Sequence, residues 1–233
     1  MAEAHHVLAG VRAYAEYDWA GGEAEFKRAI ELNPNYVDVH GAYSHILMGL
    51  KRPEEALAQM ERALELDPLN ALRQVFYGMD LEMVGRYDEA IAQFQKALAA
   101  SPELSVAHHV LSATFFMKGM YDESLAELRA YYGGDREMEE ALTQGYAQSG
   151  YRGAMRRAAD TMAARSLKNY VLPYDVAMLY AWAGEGAQAL QWLEKGFAVR
   201  DPNMNFVGVD PTFESLHKTQ RFQDILRRMN LPE

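Results

Sequence analysis

Residues 26–34 read FKRAIELNP, residues 60–68 read MERALELDP and residues 94–102 read FQKALAASP. One phrase recurs, and its prolines Pro34, Pro68 and Pro102 stand 34 residues apart. Other positions keep step with it. Ala29, Ala63 and Ala97 lie five residues before each proline, Phe26, Met60 and Phe94 eight before, and Gly22, Ala56 and Ala90 twelve before. Offsets of three and four put such residues on one face of a helix. Small side chains on that face let a second helix come close, while the aromatic or Met fills the space between them. The unit is a helical hairpin. It cannot bury its apolar face alone, so neighbouring hairpins stack and share a continuous core.

These residues resemble the tetratricopeptide repeat, a 34-residue helix–turn–helix whose pattern runs W-x2-L-G-x2-Y, then A-x3-F, then P. The fullest copy is 71–104, with Tyr77, Gly78 and Leu81 in its first helix and Ala90, Phe94, Ala97 and Pro102 in its second. Its opening aromatic position holds Gln74 instead. The resemblance implies an all-α fold, a right-handed superhelical solenoid of about six hairpins with capping helices at its C-terminal end. Helix pairs are expected at 3–16 and 18–32, 37–49 and 53–66, 71–84 and 87–100, and 104–118 and 121–132. Past 132 the phase degrades: Tyr131 stands where a small residue is expected, Gly133-Gly134 breaks the helix, and Arg136 takes the proline position. Two looser pairs follow at 137–149 and 153–165 and at 173–183 and 187–199, the latter opened by Pro173. Phe222, Ile225, Leu226 and Met229 then form one helical stripe that reads as a cap. The expected organisation is a single solenoid over 1–233, with regular repeats to 136, degenerate repeats over 137–202 and the cap over 203–233.

A narrower resemblance lies at the two ends. YDWAGGEAEFKRAIELNP (17–34), LPYDVAMLYAWAGEGAQALQWLEKGF (172–197) and VDPTFESLHKTQRFQDILRRMNLP (209–232) are similar to the tetratricopeptide domains of bacterial multidomain signalling proteins. In those proteins the domain follows winged-helix, adenylate-cyclase or serine/threonine-kinase modules. The resemblance implies an interaction or sensory domain, either stand-alone or part of a longer protein.

Composition narrows the functional classes. The 23 Lys and Arg against 33 Asp and Glu give a net charge of −10 over 233 residues, which argues against a chain that grips nucleic-acid phosphate. Cys is absent, so disulfides, thiolate metal sites and a Cys nucleophile are excluded together. No stretch has the ~18 consecutive apolar residues of a spanning helix, and the first ten residues lack the order of a secretory signal. A cytoplasmic protein without membrane insertion is the expectation.

Enzyme signatures are missing: no phosphate-binding loop, dinucleotide fingerprint, H-E-x-x-H or G-x-S-x-G occurs. The adjacent pairs His5-His6 and His108-His109 point about 100° apart on a helix, so neither chelates one ion. His40 and His108 hold equivalent places in their repeats and read as packing residues, as do Ser112, Ser124 and Ser149. No catalytic residue, metal or cofactor is expected.

The inner stripe of the first helices carries the functional expectation. It follows a 3, 4, 3 spacing through each repeat. The first repeat gives Val7, Val11 and Tyr14; the second Asp38, Gly41, His45 and Met48; the third Leu72, Val75, Met79 and Glu82. The fourth gives Val106, His109, Ala113 and Phe116, and the looser repeats give Glu139, Leu142 and Tyr146, then Tyr174, Met178 and Trp182. Most are apolar, although the opposite stripe, with Tyr43 and Leu47 or Tyr77 and Leu81, already serves the core. A second apolar stripe needs a second burial. It is expected to bind an apolar or amphipathic peptide segment of a protein partner, unless superhelical curvature or the C-terminal cap folding back covers it. Relatives that grip a C-terminal carboxylate place Lys, Arg and Asn on this stripe, and here those places hold Val, Gly, Met and His. The alternatives are a sensory groove for a small apolar ligand serving an attached effector, and self-association into a homo-oligomer. One basic stretch interrupts the acidic balance: Arg152, Arg156, Arg157, Arg165 and Lys168 face only Asp160, and an Arg156–Asp160 pair on a solvated helix face is the simpler account than an acidic partner's dock.

Overall fold

Short polar residues and prolines set where the helices begin. Asp18 accepts from the Gly21 N–H at 2.9 Å, Asn70 from the Leu72 and Arg73 N–H groups, and Asp135 from the Met138 N–H, while Pro53 and Pro173 open their helices without an N–H to satisfy. The computed structural model describes residues 1–232 and, among them, is helical throughout, with no strand. The elements are α1 (Ala2–Gly10, extended by a π-helical turn Val11–Ala15), α2 (Trp19–Leu32), α3 (Val37–Gly49), α4 (Pro53–Leu66), α5 (Ala71–Met83), α6 (Tyr87–Ala100), α7 (Ser105–Met117) and α8 (Tyr121–Tyr131). There follow α9 (Arg136–Arg165), α10 (Pro173–Ala183), α11 (Gly186–Val199), 3-10 turns at Pro202–Phe206 and Pro211–Leu216, and α12 (Gln220–Arg228). α9 is itself a hairpin, because Ser149 and Gly150 leave helical geometry in its middle. The six expected hairpins are therefore present.

The turn inside each hairpin has its own signature. Tyr17, Lys51, Gly85 and Gly119 are spaced by 34 residues, and all four have positive φ, between 55° and 77°. The turn requires a left-handed residue in every repeat, and glycine meets the requirement at two of the four.

The chain divides into two compact units. The first comprises Met1–Ala107, Asn205–Val209 and the chain from Leu226 onward. Its core follows the repeat phrase: Phe26, Met60 and Phe94 are fully buried, as are Ala29, Ala63 and Ala97. Gly78 leaves room for the Phe94 ring, whose edge lies 2.3 Å from where a Cβ on that residue would sit. Polar ties run between helices. Glu23 accepts from Tyr43 at 2.8 Å and pairs with Arg52 and Lys27; burial opposes its ionisation, but these three partners outweigh it and hold the carboxyl at about 2. His40 spans from Gln59 (2.7 Å) to the Pro34 carbonyl (3.0 Å), as the packing expectation required. The chain's end joins the same unit: the Trp19 indole N–H donates to the Met229 carbonyl at 2.6 Å, and the Asn230 amide donates to the Tyr17 carbonyl at 3.2 Å.

The second unit comprises His108–Met204 and Asp210–Ile225. Tyr131, which breaks the repeat phase, stacks on His109 with ring centres 4.6 Å apart. Ser124 donates to the Ser112 carbonyl at 2.8 Å and shares a hydrogen bond with the Tyr151 hydroxyl at 2.7 Å. Within α9 the two halves touch backbone to backbone. A Cβ on Gly145 would lie 2.3 Å from the Gly153 carbonyl oxygen, and one on Gly153 would lie 2.3 Å from that of Gly145. Gly145→Ala is therefore expected to push the halves apart and destabilise the fold by about 1–3 kcal/mol, read as a lower urea midpoint. An unchanged midpoint would mean that this crossing is not tight in solution.

Candidate functional site

The inner stripe divides into open and filled parts in each unit. In the first unit Val7, Val11 and Leu72 are 67%, 46% and 41% exposed, although each is aliphatic. Asp38 is exposed as well, and Tyr14, His45 and Met79 are half-buried. Met48, Val75 and Glu82 are buried. On α3 the cover comes from the chain itself. Gly49 sits under Asn205, where a Cβ would approach the Asn205 carbonyl oxygen to 2.5 Å, and the Asn205 amide donates to the His45 carbonyl at 3.4 Å. Phe206 meets the His45 ring edge-on at 5.3 Å, and Phe76 meets it from another side at 4.9 Å. Burial in this apolar setting lowers the His45 pKa to about 4, so the ring is neutral at pH 7. The alternative weighed from sequence, a C-terminal segment folding back, therefore applies to this stretch of the stripe.

Arg73 is a residue that position counting overlooked. It stands one place beyond the stripe, yet its guanidinium reaches across α3 at Gly41, 2.6 Å from where a Cβ would be, and pairs with Asp38. A long side chain crossing a neighbouring glycine leaves no periodic trace. The stripe does therefore carry an arginine head group, but one already neutralised by an exposed carboxylate.

In the second unit Tyr174, Met178 and Trp182 are buried, His109 and Phe116 are half-buried, and Tyr146 is exposed with its hydroxyl donating to Asp122 at 3.0 Å. The segment after α11 accounts for much of that burial. The Tyr174 N–H donates to Asp201 at 2.9 Å and its hydroxyl to Asp210 at 2.6 Å, while the Trp182 indole donates to Thr212 at 3.4 Å. Phe213 packs edge-on against Tyr174 at 5.3 Å. What stays open is a recess of about 240 Å³ lined by Phe116, Tyr121, Tyr151, Arg152, Ala181, Trp182 and Gly184.

Several other polar side chains are engaged in structure. His5 meets Glu25 at 2.5 Å, His6 meets Tyr36 at 3.0 Å and His108 meets Glu127 at 2.6 Å. Among the described residues no group of three or more His, Cys, Asp or Glu side chains is arranged to hold a metal ion. The basic stretch is partly paired, though not as expected: Arg156 approaches Glu185 at 3.8 Å, because Asp160 is taken by the Tyr180 hydroxyl at 2.8 Å. Arg165 pairs with Asp135 and Glu137. Among the described residues no helix is long and apolar enough to cross a membrane.

Two tetratricopeptide-repeat family models match the sequence, one over residues 13–74 and one over residues 84–104. The chain thus contains tetratricopeptide repeats. Its structure is similar to that of PilW, described as a widely conserved type IV pilus biogenesis factor, with a TM-score of 0.61, 18% identity, and 97% of this chain and 98% of that one covered. It is also similar to PilF of Pseudomonas aeruginosa (TM-score 0.55, 16% identity, 97% of each chain). A tetratricopeptide repeat protein of Parabacteroides merdae gives a TM-score of 0.54 at 15% identity, over 98% of this chain and 92% of that one. Identities this low speak to the fold, which is the all-α solenoid class of these proteins. No curated protein matches the sequence.

Proposed function

We propose that the chain is a non-catalytic protein-interaction scaffold, and that an apolar or amphipathic segment of a partner lies along the inner stripe of its first unit. The observation that carries this is the exposure of Val7, Val11 and Leu72. Each occupies an inner position by its spacing, and the core of the same helices is complete without it, since Ala2, Ala9 and Ala13 of the first helix and Leu81 of α5 are already buried. Aliphatic side chains left in water at such positions mark a surface that gains by being covered. Asp38 beside them offers a polar rim. Met48, Val75 and Glu82 are assigned to the packed interior rather than to direct contact with the partner.

The test is a selection from a random-peptide display library against the purified protein, repeated with Val11→Glu and with Leu72→Glu. Both side chains are exposed, so the fold should tolerate the changes. Selected peptides are expected to present apolar residues at helical or alternating spacing and to lose roughly tenfold or more in affinity for either variant. Equal affinity for both variants would remove the strip from the binding surface. A second copy of the chain occupying the strip would show itself as a mass that rises with concentration in light scattering and is restored to the monomer value by Leu72→Glu.

A further inference from the structure

We propose that the recess in the second unit receives an aromatic side chain of a protein partner, with a carboxylate next to it in the partner's sequence held by Arg152. The proposal rests on the scaffold function above and names the chemistry that would be recognised. The wall of the recess is made of rings. Phe116 stacks on Trp182 with centres 5.1 Å apart and on Tyr151 at 5.9 Å, and Tyr121 leans on Tyr151 at 4.9 Å. The polar atoms of two of them are already used, the Tyr151 hydroxyl by Ser124 and the Trp182 indole N–H by Thr212. Tyr121, meanwhile, is 49% exposed at the mouth, so the ring system is open to a ligand. An apolar cavity of about 150 Å³ already takes up benzene, and the 240 Å³ here leaves space for a ring and the methylene that carries it.

Arg152 decides the charge of the occupant. It is exposed, and among the described residues it forms no ion pair or hydrogen bond, unlike Arg156, which approaches Glu185, and Arg157, which donates to Gln148 at 3.5 Å. Its guanidinium lies over Gly184, 3.9 Å from where a Cβ would be, at the left-handed residue that ends α10. The C-terminal carbonyls of that helix favour a cation there, which keeps the head group at the rim of the recess. Several aromatic rings around a pocket ordinarily suggest a quaternary ammonium guest. The unpaired guanidinium repels such a guest and attracts a carboxylate, in a chain whose net charge is −10. Ring and carboxylate together describe a Phe, Tyr or Trp next to an Asp or Glu.

The experiment titrates the protein with the capped hexapeptide Gly-Ser-Phe-Asp-Gly-Ser and follows its three tryptophan indole N–H signals by 1H–15N NMR. The Trp182 signal is expected to shift in a saturable way while those of Trp19 and Trp192 stay in place. The same peptide with Ala for Phe should give no shift, and with Asn for Asp about threefold to tenfold weaker binding. Arg152→Ala should weaken the Asp peptide by a similar factor and leave the Asn peptide unchanged. A static Trp182 signal, equal affinity for the Asp and Asn peptides, or an unaffected Arg152→Ala variant would overturn the proposal. Phenylacetate binding as tightly as the hexapeptide would overturn the assignment to a partner segment. Failure here, alongside display-selected peptides that still depend on Leu72, would sink the recess and leave the scaffold function standing.

Discussion

Replacing Phe94 with alanine is expected to lower the unfolding free energy by about 3–5 kcal/mol. The ring is fully buried, and the neighbouring backbone has been shaped to it: Gly78 lacks the Cβ that would collide with the ring edge. Relaxation cannot close the hole easily, because Ala90 and Ala97 on the same face of α6 and Gly78 opposite on α5 are small and have nothing to move into it. The loss therefore includes a cavity as well as the transfer of the ring. For a chain of this size it corresponds to a melting temperature lower by roughly 6–20 °C, measured by circular dichroism at 222 nm. A fall of less than about 1 kcal/mol would mean that α5 and α6 collapse onto one another without the ring, and that the repeat phrase is less demanding than its recurrence implies. The contrast with Leu72→Glu, which should alter binding and leave the melt nearly unchanged, separates scaffold from surface.

Phe94 also shows why the fold was legible. Its place recurs at Phe26 and Met60, and a residue that must fill the same gap in every hairpin leaves a periodic mark in the sequence. The helix bounds follow the expected spans to within two residues, even in the looser repeats, where Pro173 opens α10 and Ser149-Gly150 break α9. The left-handed turn position was present as Gly85 and Gly119, 34 residues apart, but Tyr17 and Lys51 hold it in the first two hairpins and blur the signal. The site was less legible, for a physical reason. Which inner residues remain in water depends on what else reaches them, and that is decided by contacts without a period. Asn205 over Gly49, Phe206 against His45 and Asp210 with Tyr174 each join residues far apart in sequence. Helical spacing singles out a stripe but cannot tell that Met48, Tyr174, Met178 and Trp182 are buried while Val7, Val11 and Leu72 are not.

Asp80→Asn is expected to stabilise the protein at pH 8 by as much as about 4 kcal/mol and to make almost no difference at pH 4. Asp80 is 1% exposed; Ser44 donates to one of its carboxyl oxygens, and the other has no partner. Burial penalises the charged form and pushes the pKa up to about 7, with the Ser44 bond pulling weakly the other way. The folded chain thus keeps a proton that the unfolded chain has already released above about pH 4. Each pH unit between about 4 and 7 then favours unfolding by a further ~1.4 kcal/mol, so stability falls as pH rises through that window. Asparagine has no proton to lose and avoids the cost. His45 acts with the opposite sign: its lowered pKa leaves it neutral when folded, and stability falls as pH drops from about 6.5 toward 4. Across that shared range the Asp80 and His45 slopes oppose each other in the native protein. In the Asp80→Asn variant the Asp80 slope is gone, so the variant's advantage over the native protein should shrink steadily from about pH 7 to about pH 4. Asp175 and Asp210, both raised by burial, remain in both proteins and cancel in the difference. Urea unfolding of the two proteins from pH 4 to pH 8 reads the effect directly. A difference that stays constant over that range would mean that Asp80 ionises in the folded state as it does in the unfolded one, with water reaching it.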